Sequence, residues 1–201
     1  MTRRMPNCCV LLIPEGPDRA RFDAAVRRAA ALVGGTPVAM PHLTVAYLYD
    51  VTPGGRAAYA RSLEPFARTV PPADVIVEEA ITWWSLPYEG LLYIAQRTPA
   101  LAALYDGLAH LARTLDVLCN PSVEYRSGTM SPHPEPVPAQ SWVPHVKVLA
   151  TFDGDREAAA PLLRPLAPDL SFRARSLRLS YLNEDGHWAL GQRFALRGER
   201  P

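Results

Sequence analysis

Two short stretches hold the side chains best suited to chemistry. In "PHLTVAYL" His42 stands two residues before Thr44, and in "PHVKVLATF" His145 stands two residues before Lys147, the single lysine among the 21 lysines and arginines of the chain. Both stretches are apolar enough to be strands, where residues two apart share a face. Each therefore offers an imidazole, which titrates near neutrality, beside a hydroxyl or an ammonium. Gathered in one place, the four groups would suit paired general acid–base catalysis on an anion: one imidazole takes a proton, the other gives one, and Thr44 and Lys147 hold the charge. One histidine on a strand is most often a hydrogen-bonded structural residue, and Thr44 alone is an ordinary β-former. It is the repetition of the pattern that favours a site. A positive charge next to an imidazole disfavours its protonated form, so Lys147 is expected to make His145 the neutral base and leave His42 as the protonated acid.

The elements that must position these groups follow from periodicity. "NCCVLLIPE" reads as a buried strand bounded by Pro14, and "GPDRARFDAAVRRAAALVGG" as a helix with Phe22, Val26, Ala29, Ala30 and Val33 inward, Pro17 at its opening and Gly34 at its close. "TPVAMPHLTVAYLYD" is the strand of His42. Thr52 and Pro53 then open a second helix with Tyr59, Leu63 and Phe66 on its inner face, which Pro65 is expected to kink or shorten. "ADVIVEEAITWWSL" and "GLLYIAQR" form a hairpin around "PYE", and Leu101, Leu104, Leu108, Leu111 and Leu115 mark a third helix behind a Thr98 and Pro99 cap. From 119 to 144 the pattern dissolves, with Pro132, Pro134, Pro136 and Pro138 at alternate positions; the segment reads as an extended loop and not a packed element. After it the order returns: the His145 strand, a short helix over "DREAAAPLLRPL", and a hairpin from "LSFRARSLRLSYL" and "GHWALGQRFAL".

The chain is thus an internal duplication, offset by 103 residues at the histidines. The expected fold class is α+β, a single domain over 1–201 with lobes from repeats near 7–97 and 98–197 and a Pro-rich loop at 119–144. Two antiparallel-rich sheets with outer helices would enclose a central cleft. The tetrapeptides "HLTV" and "HVKV", each after a proline and each at the same place in its repeat, resemble the paired His-x-Thr/Ser motifs of the 2H phosphoesterase superfamily, the 2',5' RNA ligase-like or cyclic phosphodiesterase family. The resemblance extends over nearly the whole chain in its order of elements. Lys147 departs from it, standing where Thr or Ser is usual. It implies a hydrolase: a metal-independent phosphodiesterase acting on a cyclic or 2'-linked phosphodiester of a nucleotide or RNA end, with His42 and His145 catalytic and Thr44 and Lys147 on the phosphate. The alternatives are a non-hydrolytic RNA- or nucleotide-binding module and a small-molecule tailoring enzyme that reuses the two-histidine cleft.

Further substrate contacts are expected from aromatic and basic residues. Trp83 and Trp84 must face opposite sides of their strand; Trp84, with Tyr181 at about the same place in the second repeat, is the candidate to stack a nucleobase. Tyr125 and Arg126 in the long loop are candidates to clamp a phosphate, and Arg173 and Arg175 make at most a small basic patch. No partner pattern gives His110, His133 or His187 a role.

The bulk composition excludes other classes. At 201 residues, 48% hydrophobic and with a net charge of +1, the chain can bury one sizeable core and has no general field to attract long nucleic acid or a membrane. Three cysteines without metal or CxxC spacing read as reduced core residues. The first apolar run stops at Pro14 and Glu15, too early for a signal-peptide core or a membrane span. A cytoplasmic monomer without cofactor or metal is expected. The 21 prolines, about twice the usual share, point with the Ala/Arg-rich helices to a bacterial coding bias. No P-loop or GxGxxG occurs and no KxDG surrounds Lys147, so ATP-driven ligation is not expected.

Overall fold

The computed structural model describes residues 6–84, 90–119, 123–126, 129–132 and 142–199, excepting the side chains of residues 84, 118, 123–126 and 129–132. In chain order the elements are β1 (Cys8–Leu12), α1 (Gly16–Val33), β2 (Thr36–Pro37), β3 (Leu43–Tyr49), α2 (Pro53–Thr69), β4 (Ala73–Val75), β5 (Val77–Trp84), β6 (Gly90–Ala95) and α3 (Pro99–Thr114). There follow β7 (Leu118–Cys119), β8 (Val123–Arg126), β9 (Thr129–Pro132), β10 (His145–Thr151), α4 (Arg156–Leu163), α5 (Ala167–Leu170), β11 (Phe172–Ala174), β12 (Ser176–Leu182) and β13 (Trp188–Ala195).

α2, α3 and α4 start where their side-chain caps put them. The Thr52 hydroxyl accepts from Gly55 N–H and the Thr98 hydroxyl from Leu101 N–H, each followed by proline in the first turn. Asp155 does the same for α4 by accepting from Glu157 and Ala158. Pro65 does not shorten α2, which runs on to Thr69. Tyr59, Leu63 and Ala67 keep one face of that helix buried on both sides of the proline, and this packing offsets the lost backbone bond. No described helix is long and apolar enough to cross a membrane.

The main sheet has the order β13-β12-β1-β3-β10-β6-β5-β9-β8. A pseudo-twofold axis between β3 and β10 matches β1 with β6 and β12 with β5, and a two-stranded sheet of β4 and β11 joins the same two halves a second time. The two sheets of the expected fold are thus joined edge to edge, at the strands that carry the histidines. The repeats are interleaved: the β12–β13 hairpin of the second lies beside β1 and β3 of the first, and the β5–β6 hairpin of the first lies beside β10 of the second. A boundary near 97 separates the repeats in sequence and not the two sides of the sheet. The hairpins also differ in use. β6 lies inside the sheet and is nearly all buried, whereas β13 is an edge strand and largely exposed, because β1 already fills the place beside β3 that β6 fills beside β10.

Helices cover one face only. Phe22, Val26, Tyr59, Leu63, Leu101, Leu104, Leu108 and Leu163 meet the inward residues of β1, β3, β6, β10 and β12 in one core. The opposite face carries no described helix and is the side on which the expected cleft would lie. Inside the Pro-rich segment two short strands form, β8 and β9 pairing antiparallel and β9 running parallel to β5. This corrects the expectation of an unpacked connection: "VEYR" and "TMSP" are long enough to extend an open sheet edge, though too short to show a period. Pro134, Pro136, Pro138 and His133 lie outside the described residues. Cys8, Cys9 and Cys119 are buried and unbridged, and burial pushes the Cys8 thiol up to about 11 and that of Cys119 to about 12, as suits packing residues.

The join between β3 and β10 is narrow, with Leu43 and Val146 as its register pair and both fully buried. Leu43→Ala is therefore expected to cost about 2–5 kcal/mol, measured as a fall in unfolding free energy by urea denaturation.

Candidate active site

The register places the four sequence-marked side chains together. Leu43 opposite Val146 in an antiparallel pair sets Thr44 beside His145 and His42 beside Lys147 across the seam, all four on the helix-free face. Each strand is bulged at the same point. Val45 is the extra residue between Thr44 and Ala46 against β1, and Val148 between Lys147 and Leu149 against β6. Both are three residues after their histidine. Bulges re-aim side chains; here both turn valine and its successor into the core while the two polar residues before them stay on the cleft side.

Each imidazole is held in the same way. His42 Nδ1 lies 2.8 Å from Met40 O and His145 Nδ1 lies 3.1 Å from Val143 O. A carbonyl only accepts, so both Nδ1 atoms carry the proton and donate, leaving Nε2 as the nitrogen that titrates. The approach to each strand is pinned by backbone bonds, Val38 N–H to Val148 O at 3.0 Å and Ala95 N–H to Pro144 O at 2.9 Å. Trp142, buried against Tyr105 with ring centroids 4.7 Å apart, anchors the chain just before Val143.

Burial dominates the electrostatics. It lowers the His145 pKa to about 4, against the bond to Val143 and with smaller contributions from the charges of His42 and Lys147. His42 is also lowered by burial first, with the bond to Met40 opposing and Lys147 adding. Lys147 does depress His145, as the sequence suggests, but removal from water is the larger cause. The lysine itself is lowered by burial. Its side chain crosses Gly90: a Cβ on that glycine would lie 2.5 Å from Lys147 Cε, 3.1 Å from Nζ and 2.5 Å from Leu149 O. At the twofold-related place on β1 stands Cys9, beside the shorter Thr44 side of the seam. Among the described residues no group of three His, Cys, Asp or Glu is arranged to hold a metal ion.

No family model and no curated protein matches the chain. Solved structures do. TT0787 of Thermus thermophilus superposes with a TM-score of 0.62 at 17% identity, covering 96% of this chain and 100% of that one. LigT of E. coli complexed with 3'-AMP gives 0.58 at 17% identity over 95% and 98% of the two chains. Usb1 of Kluyveromyces marxianus with uridine monophosphate gives 0.55 at 13% over 94% and 98%. The chain has the 2H phosphoesterase fold. At these identities the likeness is one of architecture, and it covers at least 94% of this chain.

The other sequence candidates are scattered around this 2H frame. Trp83 packs in the core and stacks on Phe152, ring centroids 4.9 Å apart; Trp84 pairs in register with Gly90, and its side chain lies outside the described residues, as do those of Tyr125 and Arg126. Tyr181 is on the helix side, under Arg56 at 3.8 Å from the ring centroid. The reason is one residue of register: Trp84 pairs with Gly90, the partner of Gly90 across the axis is Cys9, and Cys9 pairs with Ser180. Ser180 thus holds the position equivalent to Trp84, and Tyr181 falls on the other face. Arg173 is bound to Asp74 at 3.0 Å across β4 and β11. Sequence reasoning missed Thr82 and Arg178, which lie on the cleft face through Leu92 and Leu11. Strand alternation counted from His42 and His145 would have found both once the pairing was known. Gly90→Ala is expected to lower stability by about 1–3 kcal/mol, because Leu149 O cannot retreat without parting β6 from β10; differential unfolding in urea checks it.

Proposed function

We propose that this protein is a metal-independent phosphodiesterase that opens a cyclic or 2'-linked phosphodiester of a nucleotide or RNA end. The observation that carries this reading is the pair of histidines at the seam, His145 buried and His42 partly so, each with Nδ1 fixed on the carbonyl two residues back, flanked by Thr44 and Lys147. The fold neighbours add support from their own ligands, 3'-AMP on LigT and uridine monophosphate on Usb1.

In the proposed reaction on a 2',3'-cyclic phosphate, His145 Nε2 takes a proton from water as the oxygen attacks phosphorus, and His42 Nε2–H gives its proton to the departing ribose oxygen. One proton enters and one leaves the pair, so the two histidines exchange protonation states and solvent resets them. Thr44 Oγ1 and Lys147 Nζ donate to the non-bridging oxygens. The more strongly lowered histidine is the base, because at neutral pH it holds its lone pair most completely. An anion between the rings raises both pKa values by Coulombic attraction, which restores basicity to His145 and protonates His42 when substrate is bound. His145→Ala and His42→Ala are each expected to lower kcat by about 10²–10⁴-fold on 2',3'-cyclic nucleotides assayed in EDTA. Binding of those nucleotides that persists in both variants, with no turnover by the wild type, would make the protein a binding module instead.

The pH dependence has a defined sign. The rising limb of kcat/KM follows loss of the proton from free His145, near pH 4, and the falling limb follows loss from free His42, below 6.5. The kcat/KM optimum is thus acidic, while both limbs of kcat lie at higher pH because bound anion raises both groups. Lys147→Thr removes a positive charge from both histidines, so the rising limb of kcat/KM is expected to move upward in pH; a pH–rate profile of the variant in which that limb stays put would show that neither histidine is the group titrating there.

A further inference from the structure

The proposed reaction uses four residues at the seam, but the row they belong to continues across one wall of the cleft. Thr44 pairs with Leu11, Leu11 with Arg178, and Arg178 with Arg193. Directly opposed residues share a face, so all four lie on the helix-free side. The matching row on the other wall runs from Lys147 to Leu92 to Thr82. The twofold axis therefore equates Arg178 with Thr82, as it equates Thr44 with Lys147. In a duplicated frame the two walls begin alike, and an unsymmetrical ligand is read where they differ.

Arg178 has the surroundings of a held, charged donor. Its Nη1 donates to Gly191 O at 3.3 Å, which orients a fork of five N–H groups suited to a phosphodiester. The nearby Glu15 carboxylate is engaged by others: Arg193 Nε and Nη2 donate to it at 2.8 Å each, and the Ser176 hydroxyl donates at 2.7 Å. Arg178 acts on Glu15 by charge alone. Two guanidiniums against one carboxylate leave one positive charge in excess on this part of the wall. Glu184 and Asp185 sit at the tip of the β12–β13 hairpin, at the far end of the strand from Ser176. Two inter-strand spacings, with β1 between, separate Arg178 from Thr44, about 10 Å at ~4.8 Å each. That is beyond the phosphate between the histidines and within reach of its neighbour along a chain.

We infer that Arg178 is a specificity-determining residue that takes the phosphodiester next to the reacting one, so that the preferred substrate is an RNA end of two or more nucleotides and not a free cyclic mononucleotide. The inference rests on the phosphodiesterase reading above for its reacting phosphate. The wall with Arg178 holds the body of the chain, and the wall with Lys147 meets only its terminus.

The test compares a trinucleotide ending in a 2',3'-cyclic phosphate with the corresponding cyclic mononucleotide. In the wild type kcat/KM is expected to favour the trinucleotide; Arg178→Gln should lower the trinucleotide-to-mononucleotide ratio about tenfold, and Arg178→Lys should recover part of it. The slope of log kcat/KM against log salt for the trinucleotide should flatten by about 0.7 in Arg178→Gln, the share of one phosphate on a single strand. An equal loss on both substrates would mean a structural role and overturn the inference, as would an unchanged ratio. If the wild type turns over neither substrate, the phosphodiesterase reading alone fails; the salt slope of trinucleotide binding by fluorescence anisotropy then decides the role of Arg178. A flatter slope in Arg178→Gln supports that role, and an equal slope or no binding at all overturns it.

Discussion

One pair of buried residues, Leu43 and Val146, joins the two sides of the sheet along its main path, and the geometry of the candidate site depends on that contact. An antiparallel pair fixes the residues on either side of it, so the seam that holds the halves together also sets His42 and Thr44 against Lys147 and His145. The bulges at Val45 and Val148 keep this arrangement local. Beyond them each strand turns its next residues back into the helix-covered core, and the polar groups stay confined to the few positions nearest the axis.

The pseudo-twofold frame explains both what repeats and what does not. Histidine tautomers, carbonyl partners, bulges and flanking prolines all recur. The departures cluster on the cleft face: lysine for threonine after the histidine, Gly90 for Cys9, Thr82 for Arg178. The lysine has a packing counterpart in Gly90. The long Lys147 side chain needs a lane, and only a residue without Cβ provides one where Leu149 O and Lys147 Cε approach so closely. Interleaving the repeats means neither half can close its sheet without a hairpin from the other, which makes the site a product of the whole chain.

Desolvation gives this cluster its character. Charging an imidazole whose pKa has fallen from 6.5 to about 4 costs about 3 kcal/mol more than in water, so His145 is held neutral beside the positive charge of Lys147. An arriving anion supplies the counter-charge that the protein withholds. In the proposed reaction binding and proton arrangement are coupled for that reason.

By itself the sequence determined the local elements and singled out the two histidines. Thr52 and Thr98 marked helix starts because capping is a contact within a few residues, and the two proline–histidine strands were recognisable because their pattern occurs twice. What only the tertiary structure decided was which face each strand residue takes and which strand lies beside which. Side chains alternate with a period of two, so a slip of one residue separates Ser180 on the cleft wall from Tyr181 under Arg56. The same limit hid Arg178, whose place in the row of Thr44 exists only through Leu11, a residue 167 positions away in the chain. Likewise β6 became an inner strand and β13 an edge because β1 had already taken the equivalent seat, a matter of which surfaces remain to be covered and not of anything written in either hairpin.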